Sequence, residues 1–144
     1  MDLSYLITPL FAWLMAGFIK FSINSISTKR LAFDLIGYGG MPSNHSSIVT
    51  SVVAIITIKE GLQSPAFSAA LALAFIVILD ANSLRQKISA HAKILNKLNK
   101  LNKNNSDIQL RERVGHTKLE ILAGVFTGIL SAILVNQFFI VGLL

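Results

Sequence analysis

Two short segments of this 144-residue chain bring histidine next to groups that could work with it. The first is Gly39-Gly40-Met41-Pro42-Ser43-Asn44-His45-Ser46-Ser47, a glycine turn running into what patterns as the start of a helix. At such a junction unbonded N–H groups and the positive end of the helix dipole favour an anion. A hydroxyl adds a donor and a histidine can deliver a proton, so Ser43 and Asn44 are candidates for holding a phosphate and His45 for protonating its leaving group. The same residues also read without chemistry, with Ser43 as an N-cap, Pro42 as a chain breaker and His45 as a polar residue at an interface.

The second segment is Arg111-Glu112-Arg113-Val114-Gly115-His116-Thr117-Lys118-Leu119-Glu120. His116 and Glu120 are four positions apart, a spacing at which a carboxylate can orient an imidazole, fix its tautomer and make it a better nucleophile. A structural reading competes here too, because Thr117-Lys118-Leu119-Glu120 matches a capping box. A third pair, Asp80 and Arg85, either aims a guanidinium fork at phosphate with Asp80 as its support, or closes a helix end as an ion pair.

Other chemistries find little support. The chain has no cysteine, which excludes thiolate nucleophiles, thiolate metal sites and disulfides. Its three histidines, at 45, 91 and 116, lack the paired spacing of a zinc site, so no metal is expected. No P-loop, G-x-S-x-G or nucleic-acid module is present.

The elements that must position these groups are apolar helices. Composition is 53% hydrophobic and only 14% charged, the profile of an all-α integral membrane protein forming a single domain over 1–144. Leu3 to Ile19 opens a first spanning helix, extending to Ile26 if Lys20 snorkels to the membrane surface. The sequence opens Met1-Asp2 and shows no small-residue cleavage site after this run, so the segment is expected to be retained. Ile48 to Ile58 and Ala66 to Leu79 form a hairpin around Lys59 to Pro65, each helix approaching span length when extended to Ser43 and Arg85. Leu119 to Val135 begins the fourth span, in which helical periodicity places Glu120, Gly124, Gly128 and Ser131 on one face; Gly124 and Gly128 allow another helix close approach. Between the third and fourth spans, about 85–115, an amphipathic stripe of Leu84, Ile88, His91, Leu95 and Leu98 predicts a cytosolic helix followed by a polar linker. That helix could lie on anionic lipid or pair with a second copy in a homo-oligomer.

Net charge is +6, and of thirteen Lys and Arg three fall between Lys20 and Arg30 and nine between Arg85 and Lys118. Four spans put both basic loops on one side, which the positive-inside rule makes cytosolic. The charge therefore points to membrane topology, with no nucleic-acid partner expected. The histidine segments fall on that side, of the cell inner membrane if the source is bacterial.

The order and spacing of GGMPSNHSS, D-A-x-x-x-R at Asp80 to Arg85, A-x-x-L-N at Ala92 to Asn96, and GHTKLEILAG at Gly115 to Gly124 resemble the divergent branch of the type 2 phosphatidic acid phosphatase superfamily, also labelled acid phosphatase/vanadium-dependent haloperoxidase-related. The resemblance runs from about Lys20 to Leu134. It implies that His116 attacks phosphorus to form a phosphohistidine, Glu120 orients it, His45 protonates the leaving oxygen and Ser43 binds phosphate, with no metal or other cofactor. In the wider superfamily Lys and Arg residues hold the remaining phosphate oxygens. The usual Lys followed seven residues later by Arg-Pro is absent here, leaving Lys20 and Arg30 as substitutes. The usual Ser-Arg six residues before the nucleophile is also absent, with Leu110 at that spot and Arg85, Arg111 or Arg113 as replacements. Ser83 and His91 stand where the divergent branch favours Gly and Gln.

The expected activity is hydrolysis of a phosphomonoester or pyrophosphate on a lipid. Cytosolic placement favours phosphatidylglycerol phosphate or phosphatidic acid. The alternative is a non-catalytic membrane protein that binds anionic lipid headgroups or scaffolds a partner.

Overall fold

The computed structural model describes residues 2–33, 40–101, 109–112 and 115–142. Along them run α1 (Ser4–Thr28), α2 (Asn44–Glu60), α3 (Pro65–Leu79), α4 (Arg85–Leu101) and α5 (Lys118–Ile140), with a π-helical turn, Asp80–Leu84, joining α3 to α4. The expected hairpin is present, since α2 ends at Glu60 and α3 begins at Pro65 behind a Ser64 cap. The amphipathic helix is present as well, but it is not a separate piece. Pro65–Lys100 is one uninterrupted helical run, because the π-turn absorbs the change of pattern without breaking the backbone.

Among the described residues three helical runs are long and apolar enough to cross a membrane: Ser4–Thr28, Pro65–Lys100 and Lys118–Ile140. Of the expected spans, α2, at 17 residues, is the one that belongs to none of these runs. It is packed against α1, α3 and α5, and this position explains its composition. A helix surrounded by protein need not offer lipid an apolar surface, so α2 can carry Ser46, Ser47 and Ser51 fully buried.

The bundle is apolar outside and small inside. Leu6, Leu10, Leu14 and Phe18 of α1 face outward, while Ser4, Thr8, Ala12, Ala16 and Lys20 recur every fourth residue on its buried face. Apolar surface gains nothing by leaving lipid for another apolar helix, so small residues that permit close backbone contact line the interfaces. The buried hydroxyls are satisfied largely within their own helices. Thr8 donates to the Ser4 carbonyl at 2.6 Å, Ser47 to that of Ser43 at 3.0 Å, and Ser131 to that of Thr127 at 2.8 Å.

Gly124 and Gly128 set the closest contact, between α2 and α5. A Cβ on Gly124 would lie 2.6 Å from the Ser43 carbonyl oxygen and 2.8 Å from Ser46 Cβ; on Gly128 it would lie 2.5 Å from the Ser47 oxygen. Glycine is required at both positions. At the end of the bundle away from the histidines, Lys59 pairs with Asp2 and sits 5.6 Å from the Tyr5 ring and 5.9 Å from that of Phe139. The one cation outside the two basic segments thus ties α1, α2 and α5 together.

Candidate active site

The Met41-Pro42 bond is cis, and the loop it belongs to delivers Ser43 to the first turn of α5, where its N–H donates to the Glu120 carbonyl at 2.9 Å. This bond joins the two histidine segments directly. Ser43 then caps α2: its Oγ accepts from the Ser46 N–H at 3.4 Å and the Ser46 hydroxyl at 3.1 Å, and the side chain is fully buried beneath Gly124. The capping reading of Ser43 therefore describes its hydrogen bonds as they stand.

On α5 the two readings of the second segment hold at once. Oε2 of Glu120 accepts from the Thr117 N–H at 3.1 Å while Thr117 Oγ1 accepts from the Glu120 N–H at 3.3 Å, completing the capping box. The same Oε2 lies 3.0 Å from Nδ1 of His116. Both side chains are buried. An ionised carboxylate only accepts, so against an ionised Glu120 the proton of a neutral His116 sits on Nδ1 and its lone pair on Nε2. A cap that fixes the carboxylate thus also fixes the imidazole.

Asp80 and Arg85 meet for a reason their spacing conceals. On an α-helix, residues five apart point about 140° away from each other. In the π-turn the Arg85 N–H bonds the carbonyl of Asp80 instead of that of Ala81, bringing the two side chains to one face with Arg85 Nε 3.5 Å from Asp80 Oδ2. The other end of the guanidinium reaches across to α2, with Nη2 3.2 Å from His45 Nε2. A guanidinium only donates, so Nε2 of His45 accepts here and the ring proton resides on Nδ1. The π-turn also releases the Ala81 carbonyl, which accepts the His116 N–H at 3.3 Å. Ala81 is buried, and a Cβ on Gly115 would lie 3.1–3.2 Å from the side chain and backbone of Gln86. Small residues at 81 and 115 let the His116 segment close onto the helix.

The rings of His45 and His116 come together with centroids 6.1 Å apart. Lys20 does not snorkel. It ends the buried small-residue stripe of α1 and points into the bundle, within electrostatic reach of Glu120 and His45. His116, His45, Glu120, Arg85, Asp80 and Lys20 therefore converge, with Ser43 beneath them. Arg30 and Arg111 are exposed, and Arg113 lies outside the described residues.

Asn44 faces another way. It borders an apolar cavity of about 430 Å³ whose walls include Trp13, Leu14, Gly17, Phe18 and Phe21 of α1. A second cavity, about 350 Å³, opens beside His116 between Gly115 to Thr117 and the polar side of α4, with Gln86, Ser89 and Lys93 in its wall. Among the described residues no group of three or more His, Asp or Glu side chains is placed to hold a metal ion.

The sequence reading missed the Ala81 carbonyl, although a signal was available. A five-residue spacing between two residues expected to cooperate does not fit an α-helix. It also left Asn96 unexplained. That residue is buried and bonds the returning chain at Leu110 and Glu112.

Residues 1–131 match the family described as Divergent PAP2 family. The uncharacterized membrane protein YuiD of Bacillus subtilis (strain 168) is 31% identical over 149 residues, an alignment covering 93% of this chain and 94% of that protein. No solved structure matches.

Proposed function

Since the chain belongs to the divergent PAP2 family, a group of phosphatase-related membrane proteins, we propose that it is itself a lipid phosphate phosphatase working through a phosphohistidine on His116. The observation that carries this reading is the single carboxylate oxygen of Glu120, which fixes His116 with its free lone pair on Nε2 while the His45 ring lies 6.1 Å away. An attacking atom needs to come within about 3–3.5 Å of its target. A proton donor needs to lie about 2.6–3.2 Å from the leaving oxygen. The two rings thus border one site, which a single phosphoryl group can share.

In the proposed reaction Nε2 of His116 bonds to phosphorus as the bond from phosphorus to the lipid oxygen breaks. The lipid oxygen takes a proton from Nε2 of His45. Water then attacks the phosphohistidine, giving a proton back to His45 as the P–N bond breaks and inorganic phosphate leaves. For His45 to hold that proton, Arg85 must turn from its ring to the phosphate oxygens, with Asp80 keeping the guanidinium in place. Lys20 supplies a second positive charge. Ser43 acts through the α2 N-terminus, whose N–H groups and dipole favour an anion.

The surroundings support a lipid phosphate as substrate. The apolar cavity bordered by Asn44, at the N-terminal end of α2, offers acyl chains a wall of Trp13, Leu14, Phe18 and Phe21. The basic segments, Lys20 to Arg30 and Arg85 to Lys118, favour a cytosolic site. Phosphatidylglycerol phosphate or phosphatidic acid, a phosphomonoester on that leaflet, fits better than an isoprenyl pyrophosphate presented outside.

Purified protein in detergent is expected to release phosphate from short-chain phosphatidic acid in the presence of a chelator, and vanadate, a mimic of five-coordinate phosphorus, is expected to inhibit it. No release from any lipid phosphomonoester or pyrophosphate would leave the non-catalytic headgroup-binding reading in its place. A cysteine from Lys97→Cys should react only with membrane-permeant reagents in intact cells; labelling from outside would reverse the sidedness and favour isoprenoid substrates.

A further inference from the structure

From the contacts along α4 we infer that Asn96 is a positioning residue for His116, acting through the chain that returns along the helix. Its side-chain amide pairs with both backbone groups of one residue: Oδ1 accepts the Leu110 N–H at 2.9 Å, and Nδ2 donates to the Leu110 carbonyl at 2.8 Å. Nδ2 also donates to Glu112 Oε1 at 2.9 Å. Two helical turns back, the Ser89 hydroxyl donates to the Glu112 carbonyl. Further back, Gly115 presses on Gln86, and the His116 N–H bonds to the Ala81 carbonyl.

The contacts run in antiparallel order. Leu110 meets Asn96, Glu112 meets Ser89, Gly115 meets Gln86, and His116 meets Ala81. Four contacts in strict sequence fix a register, and a register fixes where His116 stands along the helix. Asn96 sets its far end, and an asparagine is suited to this because one amide offers a donor and an acceptor matched to a peptide group. Its burial follows from the same contact, since among the described side chains of α4 Ala92 and Asn96 are the buried ones and the other faces are largely exposed. The clasp lies outside the packed bundle of α1, α2, α3 and α5, so loosening it leaves the bundle formed.

The effect on catalysis rests on reading His116 as the nucleophile; the effect on the position of His116 does not. Displacing a reacting group by about 1 Å can cost about 100-fold in rate. Asn96→Ala is therefore expected to lower kcat on short-chain phosphatidic acid by up to about 100-fold while KM changes little, because Arg85, Lys20 and His45 are untouched. Asn96→Asp keeps the acceptor for the Leu110 N–H but sets a carboxylate oxygen against both the Leu110 carbonyl and Glu112. Adding Glu112→Gln turns the second of these repulsions into a hydrogen bond, so the double variant is expected to recover part of the lost rate.

Histidine-ring NMR of the full chain in detergent gives a readout that does not depend on turnover. The chain has three histidines, and single substitutions assign their signals. In Asn96→Ala and Asn96→Asp the His116 signal is expected to move or broaden while that of His45 stays in place, and the double variant is expected to return it part of the way. An unmoved His116 signal in both single variants would overturn the clasp, whatever the enzyme assay gives. Loss of the His45 signal along with that of His116 in both would also overturn it, by showing a general role in folding. If the wild-type chain releases no phosphate but its His116 signal responds as expected, the clasp stands and the phosphatase reading fails.

Discussion

His116 and Glu120 are joined through one oxygen that does two jobs: Oε2 lies 3.0 Å from Nδ1 of His116 and accepts the Thr117 N–H at 3.1 Å. Helix capping and imidazole orientation are thus coupled, and substitutions at Glu120 test the two together. Glu120→Gln retains an oxygen that can accept one of these bonds but loses the charge. It is expected to cost about 1 kcal/mol or less in stability, within the usual range for a cap. Activity should fall further, by about 10²–10⁴-fold, the scale on which positioned acid–base groups act. Thermal unfolding and phosphate release in the same detergent separate the effects; equal, small changes in both would reduce Glu120 to a cap.

Gly124 holds His45 and His116 in register, because it is the point where α5 meets the Ser43 carbonyl. Gly124→Ala must push α2 away from α5 by a clash with backbone, at a cost of about 1–3 kcal/mol. The loop before His45 is displaced with it. Lower thermal stability accompanied by a disproportionate loss of turnover is the expected result, and full activity with native stability would contradict the close approach.

The π-turn can be removed by shortening it. Deleting Ser83 is expected to restore α-helical pairing, which leaves Asp80 and Arg85 four apart and still on one face. The Ala81 carbonyl is then taken up by the helix and lost to His116. Because α3 makes its packing contacts before the turn, the bundle should form while activity is lost. A deletion variant with unchanged turnover would show that the π-turn is incidental.

Asp2 offers a pH test at the other end of the molecule. Its hydrogen bond to Lys59 holds its carboxyl at about 2, below the usual carboxylate range. A depressed folded-state value means that the carboxylate contributes stability above the unfolded value of about 3.9, and that this is lost as pH falls toward 2. Exposure and salt keep the effect small. Asp2→Asn should therefore be slightly less stable than wild type at pH 7 and indistinguishable from it near pH 2, by thermal unfolding at low ionic strength. A gap that persists unchanged at pH 2 would contradict the ion pair.

Much of the arrangement could be read from residue types. Apolar length located the helices, the charge partition put both histidine segments at one end, and period 3.6 put Glu120, Gly124, Gly128 and Ser131 on the buried face of α5. Local spacing could not decide between His116 and Thr117 as partners of Glu120, since a carboxylate oxygen can serve both. Nor could it show Lys20 turning inward, because the small residues that lead it there form an interface only once α2 is placed. The π-turn was legible only as an awkward five-residue spacing. The pairing of Asn96 with Leu110 joins residues across a linker, and no periodic pattern reports a contact of that kind.

The most direct measurement is the fate of labelled phosphate during turnover. Protein in detergent, mixed with phosphatidic acid carrying a radioactive phosphate and quenched in alkali, is expected to retain label on His116 as an acid-labile, alkali-stable phosphoramidate. His116→Ala should retain none and release no phosphate while keeping wild-type helical content. Undiminished phosphate release by His116→Ala would contradict the phosphohistidine mechanism outright.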